Sequence, residues 1–260
     1  MTEHSEQLLN PNTREIEQQC GKHGSYVAKQ FKLTNTGGWL GGHCPTCQAE
    51  STQRELEQKR KADEVKAQQR IEQLLQRSGI PRRFQDRTLQ GYVVEVEGQA
   101  KAHRVAAWFV DTWIERIQAG TCLIFCGMPG TGKTHLATAI ANDVIRLGYS
   151  AVFCTVGDAI RSIQATYDRD ATVTTTQALD ALVAPSLLIL DEVQVQTGSD
   201  HDKRVMFDVI NKRYENLRST IVISNLAPEP LKEYLGDRIL DRMREGGGKM
   251  VSFDWGSHRI

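Results

Sequence analysis

Three groups of residues in this sequence have the types and spacing for chemistry. Gly127-Met-Pro129-Gly130-Thr131-Gly132-Lys133-Thr134 follows the pattern G-x-x-x-x-G-K-T. Glycines at those positions let backbone N–H groups wrap phosphate oxygens without a Cβ in the way, and a helix starting there adds partial positive charge. The lysine ammonium then reaches the β- and γ-phosphates, and the Thr134 hydroxyl is placed to ligate magnesium. The second group is Asp191-Glu192, which ends the apolar run Leu187-Leu-Ile-Leu190. A strand that ends in acids delivers carboxylates to the same sheet edge as the phosphate loop. Asp191 is expected to hold Mg2+ and Glu192 to orient the attacking water, so the expected cofactors are ATP and Mg2+. Asn225, after the apolar run Thr220–Ser224, can bond both γ-phosphate and water; it can equally cap a turn before Pro228.

The third group is Cys20-Gly-Lys-His23 and Cys44-Pro-Thr-Cys47. Two such knuckles close a tetrahedral structural zinc site, with Gly21, Gly24, Gly41 and Gly42 supplying turns. His43 is a competing ligand, but His23 has the better knuckle spacing. A segment this short cannot bury enough apolar surface to fold alone, so Zn2+ would supply the missing stability. Four protein ligands leave no open position, which favours a structural over a catalytic metal. Cys122, Cys126 and Cys154 lie in apolar runs and read as core residues.

The elements that must position these groups are visible in the pattern. Short apolar runs at Cys122–Cys126, Ala151–Val156, Leu187–Leu190, Thr220–Ser224 and Lys249–Phe253 alternate with helical stretches at Lys133–Leu147, Asp158–Tyr167, Thr176–Leu182 and Lys203–Leu217. Strands apolar on both faces and separated by helices predict an α/β fold with a parallel sheet flanked by helices. Residues 50–76 lack Gly and Pro and are dense in Glu, Gln, Lys and Arg. They read as a solvated helix or linker, and the helix breakers Gly79 and Pro81 mark the start of the globular part. The expected division is a zinc-binding module over 1–49, a polar helix over 50–77 and an ATPase domain over 78–260. With 32 basic and 32 acidic residues the formal charge is zero, so any contact with DNA must be local. No apolar run approaches the ~18 residues of a membrane span, and the first residues lack an apolar signal core. The expected location is the cytoplasm, with no membrane contact.

The order of phosphate loop, Asp191–Glu192 and Asn225 resembles that of AAA+ P-loop ATPases. The tail Leu235-Gly-Asp-Arg238-Ile-Leu-Asp-Arg242-Met-Arg244, with Val251-Ser-Phe-Asp-Trp255, resembles the end of the bacterial and phage DnaC helicase loaders. Arg77-Ser-Gly-Ile-Pro81 and the segment Asp191–Thr197 are similar to the same family. The resemblance covers roughly 77–260, leaving the zinc-ribbon-like N-terminus outside it. It implies ATP-dependent loading of a DnaB-like hexameric replicative helicase onto single-stranded DNA, with self-association through the AAA+ domain. It also implies that Arg238 and Arg242 act on the neighbouring subunit's ATP, Arg242 as the finger, and that Tyr167 and Ser199 contact DNA. On their own residues, Arg238 and Arg242 also read as surface arginines and Tyr167 as helix packing. The related IstB-type transposase helpers, or a DNA-binding adaptor with a vestigial ATPase, are the other functions this pattern allows.

Overall fold

The computed structural model describes residues 12–33, 37–168, 170–193 and 200–257, with the backbone alone over 200–202. Two compact units divide between Ala67 and Gln68.

The first unit is built on a three-stranded antiparallel sheet, β1 (Thr13–Cys20), β2 (Gly24–Lys32) and β3 (Trp39–Gly41), in that order. Cys20 pairs with Gly24, so the first knuckle is the hairpin turn itself. Gly41 has φ 104°, and a Cβ there would meet the Lys29 carbonyl at 2.7 Å; only glycine lets β3 turn off the sheet toward the second knuckle. Helix α1 (Pro45–Arg77) starts between Cys44 and Cys47 and runs 33 residues without a break. None of its residues is buried, and it is laced by pairs such as Arg60–Glu64 at 3.5 Å.

The boundary expected at Gly79–Pro81 thus has a different setting. Ile71, Leu74 and Leu75, in the last turns of α1, pack against the core of the second unit. Ser78 and Gly79 then follow the sheet edge: Phe153 N donates to Ser78 O at 2.7 Å. The breakers end the helix but not the globular packing.

The second unit holds a five-stranded parallel sheet in the order β5-β6-β7-β4-β8. Its strands are β4 (Leu123–Gly127), β5 (Ala151–Thr155), β6 (Leu187–Asp191), β7 (Ser219–Ile223) and β8 (Lys249–Phe253). Alternate residues feed two cores. Leu123, Phe125, Leu187 and Ile189 face α2 (Glu97–Asp111), α3 (Trp113–Gln118) and α4 (Lys133–Arg146). Ile124, Cys126, Leu188 and Leu190 face α5 (Val156–Gln164), α6 (Thr175–Val183), α7 (Asp200–Glu215), α8 (Pro228–Leu235) and α9 (Asp237–Arg244). Covering both faces is why the strands read as continuous apolar runs.

Two helix ends differ from expectation. The α-helix expected through Tyr167 stops at Gln164, and residues Ala165–Tyr167 tighten into a 3-10 turn. Helix α7 ends at Glu215 rather than Leu217, because Leu217 turns left-handed at φ 51° while Arg218 N closes onto Arg213 O at 2.8 Å. Burial pushes the Cys126 thiol up to about 11 and the Cys154 thiol up to about 12, in keeping with their reading as core residues.

Candidate nucleotide and metal sites

The phosphate loop leaves the C-terminal end of β4 and enters α4, with Gly132 at φ 94° as the helix N-cap. Gly127 has φ 117°, and a Cβ there would stand 2.4 Å from the Phe253 carbonyl. The loop is clamped from β8: Met128 N donates to Phe253 O at 2.8 Å, and Trp255 Nε1 to Thr131 O at 3.0 Å. Thr131 is fully buried and its hydroxyl donates to Met128 O at 2.7 Å. Lys133 is buried, and its ammonium donates to the carbonyls of Gly127 at 2.8 Å and Met128 at 2.7 Å.

From the next-but-one strand, Asp191 reaches the same loop: the Thr134 hydroxyl donates to its Oδ2 at 2.9 Å. Its other oxygen accepts Glu192 N–H at 2.7 Å. Burial pushes the Asp191 carboxyl up, while these two hydrogen bonds and Lys133 pull it back. Glu192 is exposed and sits at φ 62°, a left-handed conformation that costs a non-glycine residue about 1–3 kcal/mol and is concentrated at functional sites. A cleft of about 310 Å³ takes in Gly130, Gly132, Lys133, Thr134, Asp191, Glu192 and Asn225, together with Pro129. The arrangement suits a nucleoside triphosphate: backbone amides and a lysine for phosphates, a hydroxyl and a carboxylate for magnesium, and a second acid with an amide on the open side.

The cleft has walls that sequence reasoning missed. Arg83, Phe84, Arg87 and His135 also line it. Asn142 of α4 holds two of them, its Nδ2 donating to Phe84 O at 3.0 Å and Arg87 O at 2.9 Å. Their only sequence signal is a basic cluster after Pro81, which does not say where the segment folds.

A family model described as IstB-like ATP binding protein matches residues 49–246. The replicative helicase loader DnaC of Buchnera aphidicola subsp. Schizaphis graminum is 34% identical over 190 residues, which is 73% of this chain and 76% of that protein. Its counterpart in Escherichia coli K12 is 35% identical over 190 residues, with the same coverage. This chain belongs to the DnaC family of replicative helicase loaders. A crystal structure of the DnaC helicase loader shares the fold at a TM-score of 0.59 and 24% identity, over 67% of this chain and all of that one. The DnaC relatives carry the loader name, which favours that reading over a transposase helper.

The tail arginines expected to act between subunits lie apart from this cleft. Arg238 on α9 is exposed and Arg242 half-buried, and neither lines the chain's own nucleotide cleft. Tyr167 is 56% exposed, at the turn between α5 and α6. Ser199 lies outside the described residues.

The family match begins at residue 49, beyond all four knuckle residues. Cys20 Sγ, His23 Nδ1, Cys44 Sγ and Cys47 Sγ all lie within 4.8 Å of one another. Specific separations are 3.5 Å for Cys20–Cys47 and 3.3 Å for Cys47 to His23 Nδ1. Three thiols and one imidazole converging on one point fit a tetrahedral zinc ion. His23 Nε2 lies 3.1 Å from Glu50 Oε1, an outer carboxylate that fixes Nδ1 as the ligand atom. His43, the competing candidate, is outside this group.

Proposed function

We propose that this protein is an ATP-dependent loader that places a DnaB-like hexameric replicative helicase on single-stranded DNA as replication begins. The carrying observation is the 190-residue likeness to DnaC loaders, together with a nucleotide cleft that lies within the residues matched by the ATP-binding family model. Function divides along the chain as a zinc module over 1–49, a polar helix over 50–77 and an AAA+ domain over 78–260. The zinc module and helix form the arm that engages the partner. The protein works in the cytoplasm; among the described residues no helix is long and apolar enough to cross a membrane.

Hydrolysis is an in-line attack of water on the γ-phosphorus, whose bond to the β,γ-bridging oxygen breaks as ADP and phosphate part, and the protein's share is positioning and charge. Lys133 and the loop amides hold the phosphates. Thr134 and Asp191 would hold a magnesium ion, which would offset negative charge on the phosphates. Glu192 and Asn225 orient the water. Arg242, with Arg238 beside it, comes from a neighbouring subunit to the transferring phosphoryl group, so ATP lies where two copies meet. Tyr167 offers a ring face to a base, and Ser199 joins the DNA contact from the loop after the acids.

The test is a pull-down with the full-length chain from an extract containing the replicative helicase, with and without ATP. Recovery of the helicase by the parent and its loss on deleting residues 1–67, the first compact unit, with ATP binding kept, supports the loader. Recovery of a transposase instead, or zero turnover with intact ATP binding, overturns it.

A further inference from the structure

Arg242 is held by a seat on α7. Its Nη1 donates to Asn211 Oδ1, and its guanidinium carbon lies 5.1 Å from the ring centre of Tyr214. Asn211 and Tyr214 are three residues apart, so they share one helix face. The Tyr214 hydroxyl in turn donates to Glu245, just beyond α9.

The seat is itself anchored. Arg213, between those two residues, points the other way and is fully buried. Its Nη1 donates to the carbonyls of Leu182, Val183 and Pro185 at 2.8, 3.0 and 3.0 Å. Its Nη2 donates to Ser219 O at 2.5 Å and its Nε to Thr220 Oγ1 at 3.0 Å. Five bonds to two segments fix the last turn of α7 against the end of α6 and the start of β7.

The partners of Arg242 are chemically informative. Arg104, Arg116, Arg146 and Arg161 each pair with a carboxylate within 4.0 Å. Arg242 has no such pair among the described residues; an amide oxygen and a π face hold it instead. A guanidinium has five N–H donors, so a seat of neutral groups that takes one leaves the charge and most donors for an anion. Docking of α9 does not depend on it, since Ile239, Leu240 and Met243 are already buried. We infer that Asn211 and Tyr214 are positioning residues that present Arg242 to the phosphoryl oxygens of a nucleotide bound by a second copy of this chain. The inference rests on the proposed role of Arg242 in trans and adds the groups that aim it.

The test compares Asn211→Ala, Tyr214→Ala and Tyr214→Phe with Arg242→Ala in steady-state ATP hydrolysis by the full chain. Nucleotide affinity and thermal unfolding are measured in parallel. Loss of a transition-state arginine costs ~10³ or more in kcat. The two alanine variants of the seat should lower kcat by about tenfold or more, with parent-like ATP affinity, and Tyr214→Phe, which keeps the ring, should recover most of it. Placed in the Arg242→Ala background they should cause no further loss. Mixing Asn211→Ala with Lys133→Ala should restore turnover, because an intact seat then faces an intact phosphate loop. Parent-like kcat in both alanine variants overturns the seat, as does a loss that persists undiminished without Arg242 or that follows ATP affinity. If Arg242→Ala itself turns over like the parent, the role in trans fails and the seat falls with it. If Arg242→Ala fails but the seat variants do not, only the seat is wrong.

Discussion

The hydroxyl of Thr134 donates to a carboxylate oxygen of Asp191 at 2.9 Å, although 57 positions separate them in the chain. This contact joins the start of α4 to the end of β6 and brings two oxygens together where a divalent cation is needed. It also separates roles: one acid is tied to the phosphate loop, while its neighbour Glu192 projects outward.

That separation predicts different failures. Lys133→Ala should lose tight ATP binding, since the only buried ammonium of the loop is gone. Glu192→Gln should bind ATP like the parent and stop hydrolysing it. A fluorescent-nucleotide titration and a phosphate-release assay read the two steps. Substantial turnover by Glu192→Gln would remove that carboxylate from the water-orienting role.

Zinc should be present at about one ion per chain, because four ligand atoms close one tetrahedron. Cys44→Ser should lose the metal yet bind ATP normally, since the knuckles and the phosphate loop fall in different compact units. Elemental analysis of protein purified without chelators checks the first point, and nucleotide titration the second. Metal-free parent protein would refute the site.

Tyr167→Ala should weaken binding to single-stranded DNA by roughly 1–3 kcal/mol, the value of a base stacked on an aromatic ring. The parent's affinity should fall as salt rises, as counterions are released from the phosphates. Anisotropy titrations at fixed salt compare the two proteins. Equal affinities would return the ring to a packing role.

Arg242→Ala should keep ATP binding and lose most hydrolysis, and mixing it with Lys133→Ala should recover part of the activity. One interface in the mixture then combines an intact loop with an intact arginine, whose planar fork suits phosphate oxygens. Arg238 and Arg244 need separate substitution because all three lie within α9. Confirmed co-assembly without recovery would argue against action between subunits.

Arg213→Met should destabilise the AAA+ unit by about 3 kcal/mol or more, because it strands four carbonyls and a hydroxyl that the guanidinium satisfies. Urea unfolding followed by circular dichroism measures it. An unchanged midpoint and slope would mean that water replaces those five bonds at no cost.

Sequence reasoning reached what contiguous motifs and periodicity encode. The phosphate loop, the acid pair and the two knuckles each carry their geometry in local spacing, and the structure brings each set together. The parallel sheet was legible because its strands are apolar on both faces. Other features depend on how distant segments meet. Arg83 and Arg87 line the cleft in a segment that Asn142, more than fifty positions away, holds through Phe84 and Arg87. Asn211 and Tyr214 look like ordinary positions on a polar helix until α9 lies across them. Helices α2 and α3 carry no motif that marks them in the sequence, although Phe109 and Trp113 are among the largest buried side chains. At the end of α1, Gly79 and Pro81 punctuate the helix, whereas the compact units part between Ala67 and Gln68, where no breaker marks the sequence.

The clamp from β8 onto the phosphate loop has a consequence for synthesis. Trp255 braces Thr131 across 124 positions, and the Phe253 carbonyl closes over Gly127. A ribosome therefore finishes the glycine-rich loop long before it makes the strand that shapes it. Contacts this distant in sequence form late, after local helices and after much entropy has been lost in closing the chain. A nascent chain that already displays the entire motif should be unable to retain ATP. The nucleotide then cannot guide folding of the emerging domain, and it becomes a ligand only once β8 has been released and paired with β4.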